Sequence, residues 1–208
     1  MMLRRKFNLI ICWLLPVFIG IVLISQINKL NPGIVFNGKN AMKYLNYQVS
    51  KGPRIPGSSS HQQIRQWIVE TMTEQGWIVE IQEGIINGEK VFNIIAKISD
   101  KPPRVIIGAH YDSREFADRE KIVENQKMPV LGANDGASGV AVILELGRII
   151  PKNNLLNSTW LLFFDYEDNG GIEGRDWLLG SRYFVQHLKN EPEKVIIIDM
   201  VGDQDLQI

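Results

Sequence analysis

Three apolar runs in this chain, residues 105–108, 160–164 and 195–198, are each followed by acid or imidazole. These are His110 and Asp112, then Asp165, Glu167 and Asp168, and finally Asp199. Buried parallel strands read as such runs, and ligands of open α/β sheets bind at the carboxyl ends of strands, so the groups are expected to meet in one crevice. Imidazole and carboxylates gathered there suit a metal ion. A single run ending in Asp is equally a turn former or helix cap; three such endings weigh against that reading. His110 and Asp112, two apart, share a strand face, which suits a ligating imidazole with a carboxylate to orient it. A structural histidine with a hydrogen-bond partner is an equal alternative for that pair taken alone.

The stretch Gly132-Ala133-Asn134-Asp135-Gly136-Ala137-Ser138-Gly139 opens a helix, as phosphate loops do, but Asp135 would repel phosphate and suits a cation. A plain helix cap at Asn134 or Asp135 is the alternative. Ser138 lacks the G-x-S-x-G surroundings of a serine nucleophile. In Asp165-Tyr166-Glu167-Asp168, adjacent acids point to different sides, so one can hold a metal while another moves protons.

Several elements must position these groups. Residues 41–49 read as a helix, followed by the turn-rich Gly52-Pro53-Arg54-Ile55-Pro56-Gly57-Ser58. Ile64, Trp67, Ile68 and Met72 recur at helical spacing between candidate N-cap serines and Gly76. Trp67 reads as core, and His61 as a surface or capping residue. Residues 77–81 and 90–98 read as strands joined through Asn87-Gly88, a hairpin signal. After the strand at 105–109, a connection over 111–133 is long enough to be a functional loop. Helices are expected over 137–150 and 177–188, and a last strand of central character over 194–200. The alternation predicts an α/β domain, with a mostly parallel twisted sheet and helices on both faces. That last strand has no covering helix after it in the sequence, an odd arrangement for a buried parallel strand.

With 208 residues, 45% hydrophobic and 22% charged, one globular domain is expected. A net charge of zero offers no field to gather nucleic acid. The one cysteine, Cys12, lies in the apolar N-terminal stretch, so a metal must use nitrogen and oxygen ligands. Arg4, Arg5 and Lys6 precede residues 7–24, an uncharged stretch long enough for one membrane span. No convincing cleavage site follows, so an uncleaved single-pass anchor is expected, with the domain on the extracytoplasmic side. Secretion after cleavage is the alternative. Residues 1–30 are assigned to the basic tip and anchor, 31–39 to a linker and 40–208 to the domain.

The blocks Gly108-Ala109-His110-Tyr111-Asp112-Ser113, the Gly132 to Gly139 stretch, Phe163 through Asp168, Gly180-Ser181-Arg182 and Ile198-Asp199-Met200 occur in one order over residues 41–203. Together they resemble the zinc-dependent exopeptidase superfamily, peptidase family M28, which contains aminopeptidases and glutaminyl-peptide cyclotransferases. The Gly52 to Ser58 segment and Asp176-Trp177 look more like the cyclotransferase branch. The resemblance implies zinc held by Asp135 and Asp168, with Glu167 as general acid and base. It implies His110, Asp135 and Asp199 around a second zinc in aminopeptidases, whereas in cyclotransferases Asp199 would support Glu167. Trp177 would line the substrate pocket, and peptide or protein N-termini would be the substrate. Both branches add a histidine from a later segment. The only other histidines here, His61 and His187, match no family ligand. Weak metal binding with impaired catalysis is therefore expected of these 208 residues, and a truncated, inactive, membrane-anchored remnant is a further alternative.

Overall fold

The computed structural model describes residues 35–150 and 158–203, and contacts divide the chain between residues 36 and 37. All that follows concerns the second unit, Asn37–Ile208. The apolar segment 7–24 lies outside the described residues. Among the described residues no helix is long and apolar enough to cross a membrane.

Helix α1 (Gly38–Ser50) starts at Asn37, whose side chain accepts the Lys39 N–H. Helix α2 (Ser59–Glu74) is capped by Ser58, which accepts the His61 N–H, and it buries Ile64, Ile68 and Met72. Trp67 is partly buried against the same cluster, as its spacing predicts. Strands β1 (Ile78–Ile86) and β2 (Glu89–Lys97) form the expected hairpin. Asn87 and Gly88 turn it with φ of +52° and +87°, the left-handed geometry that matches strand twist in a two-residue loop.

Strand β3 (Val105–His110), helix α3 (Ala137–Ile149), strand β4 (Thr159–Phe164), helix α4 (Leu179–His187) and strand β5 (Lys194–Ile197) follow. The sheet order is β1-β2-β4-β3-β5. β4, β3 and β5 are mutually parallel, whereas β2 is antiparallel to both of its neighbours, β4 and β1. The sheet is therefore mixed, not mostly parallel: among the described residues two of its four ladders are antiparallel, one of them fixed by the tight Asn87-Gly88 turn. Its core is two-sided, since alternate residues of a strand face opposite ways. Leu161 and Phe163 pack with α2 and α3 on one face, while Leu162 and Phe164 pack with Phe184 of α4 on the other.

The last strand departs from its expected central character. Among the described residues β5 pairs only with β3, and Val195, Ile196 and Ile197 are 56%, 49% and 57% exposed. An apolar run reports burial only when a neighbour covers it, and among the described residues none does. Ile198 turns inward and packs against the core.

α3 lies close to the segment after β5. A methyl group on Gly139 would fall 2.1 Å from the Ile198 carbonyl oxygen, so only glycine permits this approach. Gly139→Ala is expected to lower the free energy of unfolding by about 1–3 kcal/mol through overpacking, measured by urea denaturation; an unchanged midpoint would contradict this packing.

Candidate metal and active site

The sheet brings the expected groups to one end. His110 closes β3 opposite Phe164 of β4, and the Tyr111 N–H donates to the Phe164 carbonyl at 3.0 Å. Ile198 follows β5, and its N–H donates to the Gly108 carbonyl at 2.8 Å, which delivers Asp199 beside His110. Asp135 arrives from the turn before α3. Gly136 in that turn has φ +80°, and a methyl group on it would meet both the Asp112 carbonyl and the His110 ring at 2.9 Å. Glycine is thus what lets Asp135 reach the imidazole.

Asp112 is fully buried and is the organising anion. One oxygen lies 3.2 Å from His110 Nδ1 and accepts the Glu167 N–H at 3.0 Å; the other accepts from the Asp168 N–H and the Asn169 side chain, both at 3.3 Å. Burial alone would raise its pKa, but these donors hold it below the ordinary value. The far side of the imidazole, Nε2, lies 2.8 Å from Asp135 and 3.6 Å from Asp199. Burial works against charging His110, yet the three carboxylates raise its pKa well above the ordinary value. In the metal-free protein the imidazolium thus supplies the positive charge these carboxylates call for.

That donor set fits a cation. His110, Asp135 and Asp199 each offer a ligand atom, all within 4.8 Å of one another. Asp168 stands nearby: burial first, then Asp135 and Asp112, push its carboxyl up to about 7. Glu167, also partly buried, is pushed up to about 7 by burial and then by Asp112, Asp199 and Asp135, against the opposing effect of His110. The chain reaches this arrangement through Tyr166, with φ +53° immediately after Asp165, while Met200, with φ +49°, follows Asp199. Left-handed backbone at non-glycine residues is strained and is characteristic of functional sites.

Several sequence readings need correction. Asp165 does not join the cluster. It is fully buried, 2.8 Å from His61 Nε2, and accepts the Phe92 N–H at 2.9 Å. His61 is accordingly not a surface or capping side chain; it is 1% exposed and stacks on Tyr111 at 4.8 Å. Its position at the start of a helix suggested exposure, but the loop after β4 covers it. His187 is exposed, as expected of a residue outside the site. Neither Asn134 nor Asp135 caps α3, whose N-cap is Gly136. Instead Asn134 accepts the Gly202 N–H at 2.7 Å, and Ser138 accepts the Val201 N–H at 3.1 Å, tying the turn of Asp135 to the segment of Asp199. Trp177 precedes α4, is partly buried, and lies under the guanidinium groups of Arg114 and Arg119 at 4.9 and 5.4 Å.

Sequence reasoning missed two arginines. Arg114 donates to the Asp168 and Gly170 carbonyls and pairs with Asp118 at 2.7 Å, fixing the acidic loop to the long connection. Arg54, read only as part of a turn-rich segment, is completely buried beneath the site. Its one sequence signal is a lone cation among glycine and proline.

A mixed α/β sheet with carboxylates and imidazole at the ends of its parallel strands is a scaffold whose donor set suits a metal ion. The sequence model of peptidase family M28 matches residues 93–208, more than half of the chain, and the chain belongs to that family. It is 28% identical over 170 residues to the glutaminyl-peptide cyclotransferase of Drosophila melanogaster, covering 74% of this chain and 46% of that protein. The Tannerella forsythia glutaminyl cyclase structure aligns with TM-score 0.73 and 35% identity, over 82% of this chain and 64% of that one. A Zn-dependent exopeptidase from Parabacteroides distasonis aligns with TM-score 0.74 and 31% identity, over 80% and 62%. The chain thus spans less than half of the fly protein and under two thirds of the two bacterial ones.

The charge arrangement sets the pH response of the metal-free protein. Glu167 and Asp168 ionise less readily when folded, so stability falls as pH rises from their ordinary values, 4.5 and 3.8, towards 7. His110 protonates more readily when folded; its contribution is complete below 6.5 and is lost as pH rises through its elevated value. All three effects run the same way. In chelator, the melting temperature is expected to fall between about pH 5 and pH 8, and zinc at the alkaline end to restore it. A flat or rising profile in chelator would refute this electrostatic reading.

Proposed function

We propose that the chain carries the active site of a zinc-dependent glutaminyl-peptide cyclotransferase, which converts the N-terminal glutamine of peptides to pyroglutamate with release of ammonia. The observation that supports an acid–base enzyme most directly is Glu167. Its carboxyl is partly buried, raised to about 7, and set beside a cation-seeking cluster, matching the pKa to work near neutrality. Asp135 and Asp168 would hold the zinc, whose chemistry is to polarise the carbonyl under attack. Glu167 would take a proton from the substrate α-amine as nitrogen attacks the side-chain amide carbon, then deliver it to the departing ammonia. Asp112 keeps Glu167 in place through its backbone N–H. Trp177, packed against Gly170 beside Asp168, would offer an aromatic wall to the glutamine side chain.

A second reading, a zinc aminopeptidase, is favoured by one specific observation: the His110, Asp135 and Asp199 triad is assembled. That set would hold a second cation, and Glu167 would then take the proton from attacking water. In either reading the substrate is a peptide N-terminus. The basic Arg4, Arg5 and Lys6 before segment 7–24 support an extracytoplasmic, membrane-anchored domain.

The two readings separate on paired substrates. With the family's later, histidine-bearing segment included, a glutamine-initiated peptide is expected to lose the mass of ammonia while a leucine anilide stays intact; aniline release without ammonia release would overturn the cyclotransferase reading in favour of the peptidase. Glu167→Gln is expected to lower kcat by about 10²–10⁴-fold with KM little changed. Equal loss from an exposed substitution such as Arg182→Gln would deny Glu167 a special role.

A further inference from the structure

We propose that Arg54 is the positioning residue of the metal-seeking cluster, holding the segment that directly follows His110 and the turn that carries Asp135 at a fixed separation. It touches neither reacting atoms nor ligand atoms. The inference rests on the metal reading above.

The guanidinium is completely buried, and among the described residues no carboxylate forms an ion pair with it. Its donors go to backbone carbonyls on two separate stretches. Nε donates to Tyr111 at 2.9 Å, directly after His110. Nη1 donates to Leu131 at 2.9 Å, and Nη2 to Gly132 at 2.7 Å and Asp135 at 3.4 Å. The Arg54 backbone is itself fastened to the first stretch. Its N–H donates to Ser113 Oγ at 2.8 Å, and its carbonyl accepts the Ser113 N–H at 3.1 Å. Gly132, with φ +63°, leaves room for the planar head, since a methyl group there would lie 2.7 Å from Nη2.

A buried cation without a contacting anion is costly unless its charge is answered nearby. Burial draws the Arg54 pKa down to about 10, while Asp112 and Asp135 act in the opposite direction. The same side chain therefore spaces the loops by its geometry and offsets their negative charge. Lysine cannot substitute, because a single ammonium lacks the rigid fork that reaches both stretches at once.

The test compares the full chain with Arg54→Lys and Arg54→Gln, using zinc competition against a chelating dye and amide hydrogen exchange of the metal-free proteins. The expected result is a loss of zinc affinity of about 10–100-fold, the scale set by residues that orient metal ligands. Faster exchange should accompany it, confined to residues 111–113 and 131–137, with β4 and α2 unchanged. Unchanged affinity and exchange in the Lys variant would overturn the proposal. So would exchange rising uniformly through β4 and α2, which would mark Arg54 as a general stability residue. If the unsubstituted chain retains no zinc, the metal reading fails, and the exchange pattern still decides whether Arg54 spaces the two loops.

Discussion

The site depends on one buried carboxylate. Asp112 has no solvent to answer its charge, so each oxygen must find donors, and the donors it finds define the active end of the sheet. His110 is fixed on one side, and the backbone of Glu167 and Asp168 with the Asn169 side chain on the other. These partners come from the ends of β3 and β4, which adjacent parallel pairing already places side by side. Hydrogen bonds to an ionised acceptor are about twice as strong as neutral ones, and breaking a buried set leaves an uncompensated charge. The acidic loop is consequently held by the same interaction that sets the orientation of the imidazole.

Around that anion the chain uses close backbone approaches in place of large side chains. Gly136 and Gly139 put the start of α3 against the ends of β3 and β5, at separations no other residue allows. Asn134 and Ser138, in the same turn, reach across to the N–H groups of Gly202 and Val201. The helix start therefore serves as a junction, and the ligand-bearing segments are tied to each other as well as to the sheet. Arg114 gives the acidic loop a second anchor through carbonyls of residues 168 and 170.

Local rules reached most of these elements. The Asn87-Gly88 hairpin, the Ile64, Ile68 and Met72 stripe and the strands read from the apolar runs 105–108 and 160–164 follow from turn chemistry, helical spacing and composition, and all occur, with β3 reaching one residue beyond the expected 109. What escaped has a common cause: partners distant in sequence. His61 and Asp165 are buried because they face each other across 104 residues, and nothing beside either residue signals it. Arg54 serves carbonyls 57 to 81 positions away. Carbonyls carry no sequence identity, so a residue bound mainly to them leaves no partner to recognise. The exposure of β5 was hidden for the opposite reason, since apolar composition is shared by strands with one neighbour and strands with two.

The electrostatics also bear on how Glu167 and Asp168 divide their work. Without a cation, both are pushed up to about 7, mainly by burial, so their resting protonation hardly distinguishes them. Their neighbours do. Asp135 is the largest charge acting on Asp168, whereas His110 is the largest on Glu167 and lowers it, with Asp112 the largest of those that raise it. A cation bound by Asp135 would offset the largest charge that raises Asp168 and so favour its ionised, ligating form. Asp112 is fully buried behind the imidazole and could not be neutralised in the same way, so Glu167 would keep more of its elevation. Binding of the ion would thus turn two similar acids into one ligand and one proton carrier, with the difference arising from which carboxylate each was placed beside.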